Sequence, residues 1–265
     1  MSTKYLVQKI SVDNFHAHGS LWPVVDWNRR KNIIAVVVAI AAALAAAWFA
    51  FSGANRAPLS EREVATRVLA EYVRKTANPH AALVISNPYT QKPGSPAEVY
   101  DFQKAGVAGL RKGFEPAVAV KVGFPKIKPE AERDPSTVYV PSNATTVLSY
   151  LISDTAVDDL MRENPECDVL VSLIGLPANT LSTAYWSKPG APRFALLLAD
   201  FSVLGDPNAV RYAFKSGKII AAVIAKPGAG SSKTPMTADY KAEFDKRYIL
   251  VTKENVDDLL PLLLR

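Results

Sequence analysis

Residues 33–51, IIAVVVAIAAALAAAWFAF, run nineteen positions without a charged or strongly polar side chain. Wound as a helix, such a stretch is about 29 Å long, close to the ~30 Å hydrocarbon thickness of a bilayer. It constrains the chain more than any other feature, because it divides the molecule into a tail (1–32), a membrane-spanning helix (33–51), a short polar linker (52–58) and a large domain (59–265). Two other readings of the run compete. A cleaved signal peptide would use Ser52-Gly53-Ala54 as its small-residue site, but it would need a much shorter leader than 32 residues. A buried core helix is rarely apolar on every face for five turns. The expectation is a signal anchor that stays in the membrane.

Charge near the span sets its direction. Lys4, Lys9, Arg29, Arg30 and Lys31 precede it, three of them immediately, whereas Arg56 and Arg62 are the nearest basic residues after it. The positive-inside rule puts the N-terminus in the cytoplasm and the large domain on the periplasmic or extracytoplasmic face of an inner membrane. Trp22, Trp27, Arg29, Arg30 and Lys31 on one side, and Trp48, Phe49 and Phe51 on the other, are the expected interface residues. With no ionisable group inside it, the span reads as an anchor in the lipid bilayer and not an ion path, and its Ala-rich surface suits close approach of a partner helix. The tail carries Tyr5, Leu6, Ile10, Phe15, Leu21 and Trp27, enough apolar surface to dock at the membrane or on a neighbouring membrane protein.

The net charge of +6 is not a nucleic-acid signature: it splits into +3 on the tail and +3 on the remaining chain. No Lys/Arg stripe with interleaved aromatics occurs, so no nucleic-acid partner is expected. Cys167 is the only cysteine, which excludes an internal disulfide. At the head of the apolar run CDVLVSLIGL it reads as a small buried hydrophobe, since a catalytic thiol wants a nearby His and only His80 lies in the large domain.

Beyond the linker, Ser60-Glu61-Arg62-Glu63 reads as a capping box opening a helix with Val64, Val68, Leu69, Tyr72 and Val73 on its inner stripe. Short apolar runs then alternate with helical patterns. Expected strands are 81–86, 117–122, 168–176, 194–201, 218–225 and 248–252; expected helices are 96–114, 145–163, 207–215, 237–246 and 256–264. Continuous Val/Ile/Leu/Ala runs belong to strands covered on both faces. The fold class that follows is α/β, a doubly wound, mainly parallel, Rossmann-like or flavodoxin-like sheet of five to six strands.

In such sheets ligands bind beyond the carboxyl ends of the strands. Asn87, Asn179, Thr180, Trp186 and Asp200 are the candidate ligand-binding residues at that mouth. Asp200 is the one acid there able to orient a ligand, although a capping role for Asp200 and Asp206 is equally easy. Phosphate motifs fail: GxGxxG and GxxxxGK[ST] are absent, and Gly228-Ala229-Gly230-Ser231-Ser232-Lys233-Thr234 lacks the Gly before the Lys and is followed by Pro235. No GxSxG elbow occurs. Asp13, His16 and His18 have metal-binding spacing but lack a fixed fourth ligand and an outer shell. No catalytic residue, metal or cofactor is therefore expected.

The layout is similar in outline to single lobes of type I periplasmic binding proteins and to flavodoxin-like domains. That similarity concerns architecture and implies no activity. A receptor of the first kind usually closes two lobes over its ligand, and the 209 residues of 57–265 allow one. The leading expectation is a non-enzymatic, membrane-anchored accessory subunit docking on other membrane protein subunits through tail, span and domain. The alternative is a tethered periplasmic domain binding a small solute, with an enzyme of unfamiliar site in third place.

Overall fold

Helix α1, Glu61–Ala77, starts where the sequence places it: Ser60 Oγ accepts from Glu63 N at 3.1 Å. The reciprocal half of the capping box is not made, because Glu63 turns to Lys112 Nζ at 2.5 Å. This computed structural model describes residues 60–142, 144–188, 190–229 and 236–264. The tail, the 33–51 span, the linker and the interface residues around the span lie outside the described residues. Among the described residues no helix is long and apolar enough to cross a membrane.

After α1 come β1 (Ala81–Ile85), α2 (Ala97–Phe114), β2 (Ala119–Gly123), α3 (Pro129–Arg133), α4 (Leu148–Leu151) and α5 (Ala156–Glu163). Then follow β3 (Val169–Ser172), α6 (Ala184–Ser187), β4 (Arg193–Leu197), α7 (Pro207–Lys215), β5 (Ile219–Ala225), α8 (Tyr240–Arg247), β6 (Tyr248–Thr252) and α9 (Val256–Leu263). The fold is a mixed α/β sheet of six strands in the order β2-β1-β3-β4-β5-β6. It is parallel throughout except for β6, which runs antiparallel to β5. The chain leaves β1 toward β2 on one side and returns to β3 on the other, so the order reverses between β1 and β3.

Alternating side chains of the buried strands feed two cores, as the unbroken apolar runs require. One face places Ala82, Val84, Val169, Val171, Ala195 and Val223 against Val64, Leu69 and Val73 of α1, Leu110 and Phe114 of α2 and Phe244 of α8. The other places Leu83, Ile85, Leu170, Phe194, Leu196 and Ala222 against α5, α7 and α9 through Val157, Phe214 and Leu260. Helices α1 and α2 pack closely because glycines face the neighbour. A Cβ on Gly109 would lie 2.3 Å from Glu63 O, and one on Gly113 would lie 2.5 Å from Arg67 O.

One expected element breaks. The helix foreseen over 145–163 is two helices, α4 and α5, because Ile152 is extended (ψ 149°) and bridges Ile127. Ser153 N donates to Lys126 O at 2.8 Å, tying this corner to the loop after β2. Ser153, Asp154 and Thr155 supply polar side chains that compete with helical hydrogen bonding. The loop between β3 and β4 holds no long helix, as expected, only a 3₁₀ turn at Thr180–Ser182 and the one-turn α6.

Candidate functional site

The reversal of strand order marks where a ligand site is to be sought, beyond the carboxyl ends of β1 and β3. A cleft of about 300 Å³ lies there. Ser86 and Asn87, which follow β1, form its floor with Leu173 and Ile174 after β3. Residues 145–148 form one wall, Phe102 and Gln103 of α2 another, and Leu197 at the end of β4 and Leu198 just after it close it. Arg62, in the first turn of α1, enters from the side.

The polar groups of this cleft are unusual. Ser86 is 1% exposed, yet its hydroxyl has no hydrogen-bond partner. Arg62 Nε and Gln103 Oε1, also closed off from solvent, have none either. Buried polar atoms are nearly always paired, because leaving one unpaired costs about 1–3 kcal/mol. Three such atoms belong to residues lining this one cleft; Tyr185 Oη and Arg247 Nε, elsewhere, are also without a hydrogen-bond partner.

Arg62 is held firmly without being neutralised. Its Nη2 donates to Leu173 O at 2.9 Å, and its guanidinium carbon stacks 3.9 Å from the ring centre of Phe102. Among the described residues no carboxylate pairs with it. Burial pushes its pKa down to about 10, the direction expected when a cation is desolvated without a compensating anion. Leu198, at the rim, has φ +49°, a left-handed conformation uncommon for a residue with a side chain. Phe102, Val147 and Leu198 are all exposed there, giving the cleft an apolar lip.

The structure brings only part of the expected set to this place. Asn87 lines the cleft, although its Oδ1 also accepts from Tyr89 N at 2.9 Å to cap a short turn. Asp200 borders it indirectly. Its Oδ2 accepts from Thr145 N at 3.1 Å and its Oδ1 from Ser202, so the carboxylate is occupied in holding the wall. Asp206 caps α7, the role foreseen for it.

Thr180 is fully buried and donates to Pro177 O at 2.5 Å, while Asn179 Nδ2 donates to Asp154 O at 2.6 Å. Neither lines the cleft. Trp186 is placed at the opposite end of the sheet, before β4. There it packs 5.3 Å from Phe194 and lines a groove of about 400 Å³ with Arg193, Lys218 and Tyr212. Its position in a loop after β3 suggested the mouth, but that loop has already crossed to the start of β4.

Arg62, Ser86 and Gln103 were the residues sequence reasoning missed. Arg62 lies inside a capping motif and Gln103 inside an amphipathic helix, so each has an ordinary local explanation. Only Ser86, a polar residue ending an apolar strand, carried a signal.

Cys167 is buried, and its thiol is pushed up to about 11 by burial, consistent with an inert core residue. His80 is an exposed residue at the amino end of β1, its Nδ1 3.4 Å from Asp168 Oδ2. No group of His, Cys, Asp and Glu able to hold a metal occurs among the described residues.

No protein-family model and no curated protein sequence matches the chain. Among solved structures it is similar to a periplasmic solute-binding protein of an ABC transporter from Actinobacillus succinogenes with bound D-allose, at 12% identity and TM-score 0.42, covering 76% of this chain and 62% of that one. It is also similar to a solute-binding protein from Burkholderia graminis in complex with D-arabinose (15%, 0.44, 74% and 61%). A third is an arabinose-binding protein from Geobacillus stearothermophilus (12%, 0.43, 75% and 63%). The chain thus spans a little over three-fifths of the length of each. Likeness at this level is general and carries no residue of those sites over to this one.

Proposed function

We propose that the chain is a membrane-tethered, extracytoplasmic domain that binds a small solute in the cleft beyond β1 and β3. The observation behind this reading is the convergence of three buried, unpartnered polar atoms, from Arg62, Ser86 and Gln103, on a cleft where strand order reverses. Apolar walls with a few convergent polar groups are the usual make-up of a small-molecule site, and ~300 Å³ is at the small end of such sites. The tether is the apolar run 33–51, and the side of the membrane follows from the basic residues before it. A solute-binding role, second in the reading of the sequence alone, moves ahead of the accessory-subunit role because it accounts for the gathering of three residues with unpartnered polar atoms around one cleft.

The test is a thermal-shift screen of the full-length chain in mild detergent against a metabolite library. A ligand at a hundred times its dissociation constant adds ~2.7 kcal/mol of stability. For a domain of this size that raises Tm by roughly 5–10 °C. A library without a single stabilising compound, together with a stoichiometric membrane protein co-purifying from the same detergent, would return the accessory-subunit reading to first place. The exposed apolar lip of Phe102, Val147 and Leu198 is the surface such a subunit would use.

A further inference from the structure

The cleft also says what kind of solute would satisfy it, if the binding role holds. A guanidinium removed from water carries a large desolvation cost unless an anion faces it. Arg62 has the cost without the anion: its hydrogen bond goes to the neutral carbonyl of Leu173, and its flat face is covered by Phe102. The remaining donors of the fork suit a planar, two-oxygen acceptor. Ser86 adds a hydroxyl that can donate, and Gln103 an unpartnered amide oxygen, which can only accept.

Most of the rest of the lining is apolar, Val99, Val147, Leu148, Leu197 and Leu198 among it, with Asn87, Thr145 and Thr146 as its polar members. A strongly hydrated ion would leave those walls bare, whereas an organic acid would place its charge on Arg62 and its carbon body against them. An inorganic phosphate needs several donors around it, and among the described residues Arg62 is the only cation lining the cleft.

We propose that the cleft binds a small monocarboxylate with a compact apolar body, its carboxylate held by Arg62 and Ser86 and its body packed between Phe102 and Leu198. Asp200 does not oppose this, since its carboxylate accepts from Thr145 N and Ser202 behind the wall. Gly106 keeps the arrangement open: a Cβ there would come within 2.9 Å of Arg62 Nε.

The experiment is calorimetric titration of the full-length chain in detergent with phenylacetate and 4-methylpentanoate, each beside its neutral amide, and with inorganic phosphate and D-arabinose. The expected result is that the acids bind and their amides bind about thirtyfold more weakly or worse, the loss expected when one partner of a buried charge pair is removed. Arg62→Gln should abolish the preference for acid over amide. Ser86→Ala should weaken the acids several-fold while leaving the preference, which covers the case in which Arg62→Gln does not fold. Equal binding of acid and amide, or binding of phosphate or D-arabinose with neither acid, would overturn the carboxylate assignment and leave solute binding standing. Silence of both acids would also overturn it, and the broader library screen would then decide the binding role separately.

Discussion

Glu61 and Arg62 are neighbours at the head of α1, yet they open onto two differently built regions. Glu61 faces the α8 corner, where Arg247 is buried: its Nε lies 3.3 Å from Glu61 Oε1, and its Nη1 reaches the buried Glu243. Glu243 is held in turn by Lys246 and Thr237, each at 2.9 Å. Arg62 faces the cleft and meets a carbonyl, a ring and, among the described residues, no acid. One region pairs its buried charges within the chain, although Arg247 Nε makes no hydrogen bond, and the other leaves its charge unpaired. A polar cluster that is satisfied internally is part of the scaffold, whereas one left incomplete at a topological switch point marks where something else is meant to sit.

The sharpest way to break this contrast is to make the same change in both places. Arg247→Met removes the partner of a buried carboxylate and should cost about 3–5 kcal/mol of unfolding free energy. Arg62→Met removes a cation that nothing neutralises and should change stability by no more than about 1 kcal/mol. Urea denaturation of the two variants beside the parent chain reads both numbers. Equal losses would mean that Arg62 is structural after all.

A second pair separates the α1–α2 seam from the cleft. At Gly109 a methyl group would be driven into Thr66 Oγ1 and the backbone at Glu63, so Gly109→Ala should cost about 1–3 kcal/mol through overpacking. At Gly106 the nearest atom is the side-chain Nε of Arg62, which can give way. Gly106→Ala should therefore weaken ligand binding more than it lowers Tm. If the two substitutions lower Tm equally, the cleft is as rigid as the seam.

Of these two regions, acid titration should touch the closed one. Hydrogen bonds from Lys246 first, then from Thr237, hold Glu243 well below the usual carboxylate range, at about 2. A carboxylate depressed on folding contributes stability that is complete above its unfolded value and is lost as pH falls through its folded one. The stability deficit of Glu243→Gln should thus be constant at neutral pH and shrink between roughly pH 4.5 and 2. Urea midpoints collected across that interval test it; a deficit that stays constant down to pH 2 would mean Glu243 is not held in its charged form.

The same two regions show how far sequence reading reaches. Strands β1, β5 and β6 were legible because continuous apolar runs bounded by Gly, Pro and Asn leave few other structures open to them. Helix α2 was legible from Val99, Phe102, Val107 and Leu110 recurring at helical spacing, although Phe102, expected on the inner side, is exposed. The break at Ile152 was not, since it depends on Ile127, a residue twenty-five positions away that bridges to it. The antiparallel direction of β6 was equally hidden, because a strand's own pattern does not record which way it runs beside its neighbour. Of the candidate site, the sequence yielded its location at the strand ends and Asn87, through a rule about open sheets. It could not yield Arg62, whose first-turn position has an ordinary capping context; its meaning comes from the absence of a nearby acid, which is a fact of three dimensions. Trp186 fails in the reverse way, prominent in sequence but carried by its loop to the far end of the sheet.

The smallest expected effect is also the most discriminating for the open region. Ser86 ends β1 with its backbone N–H donating to Gly123 O at 3.0 Å, so its main-chain role is complete without the hydroxyl. That hydroxyl is buried and unpartnered. In a satisfied core, Ser→Ala removes a hydrogen bond and costs about 1 kcal/mol. Here it removes a desolvated group that bonds to nothing, so Ser86→Ala should leave stability unchanged or raise it by up to about 1 kcal/mol. Ser172, at the matching end of β3, is the internal control: its hydroxyl donates to Gly175 O at 2.5 Å, and Ser172→Ala should destabilise by about 1 kcal/mol or more. If melting of the two variants showed the same loss, the hydroxyl of Ser86 would have a partner within the protein, and the cleft would lose the group that distinguishes it from a mere gap between loops.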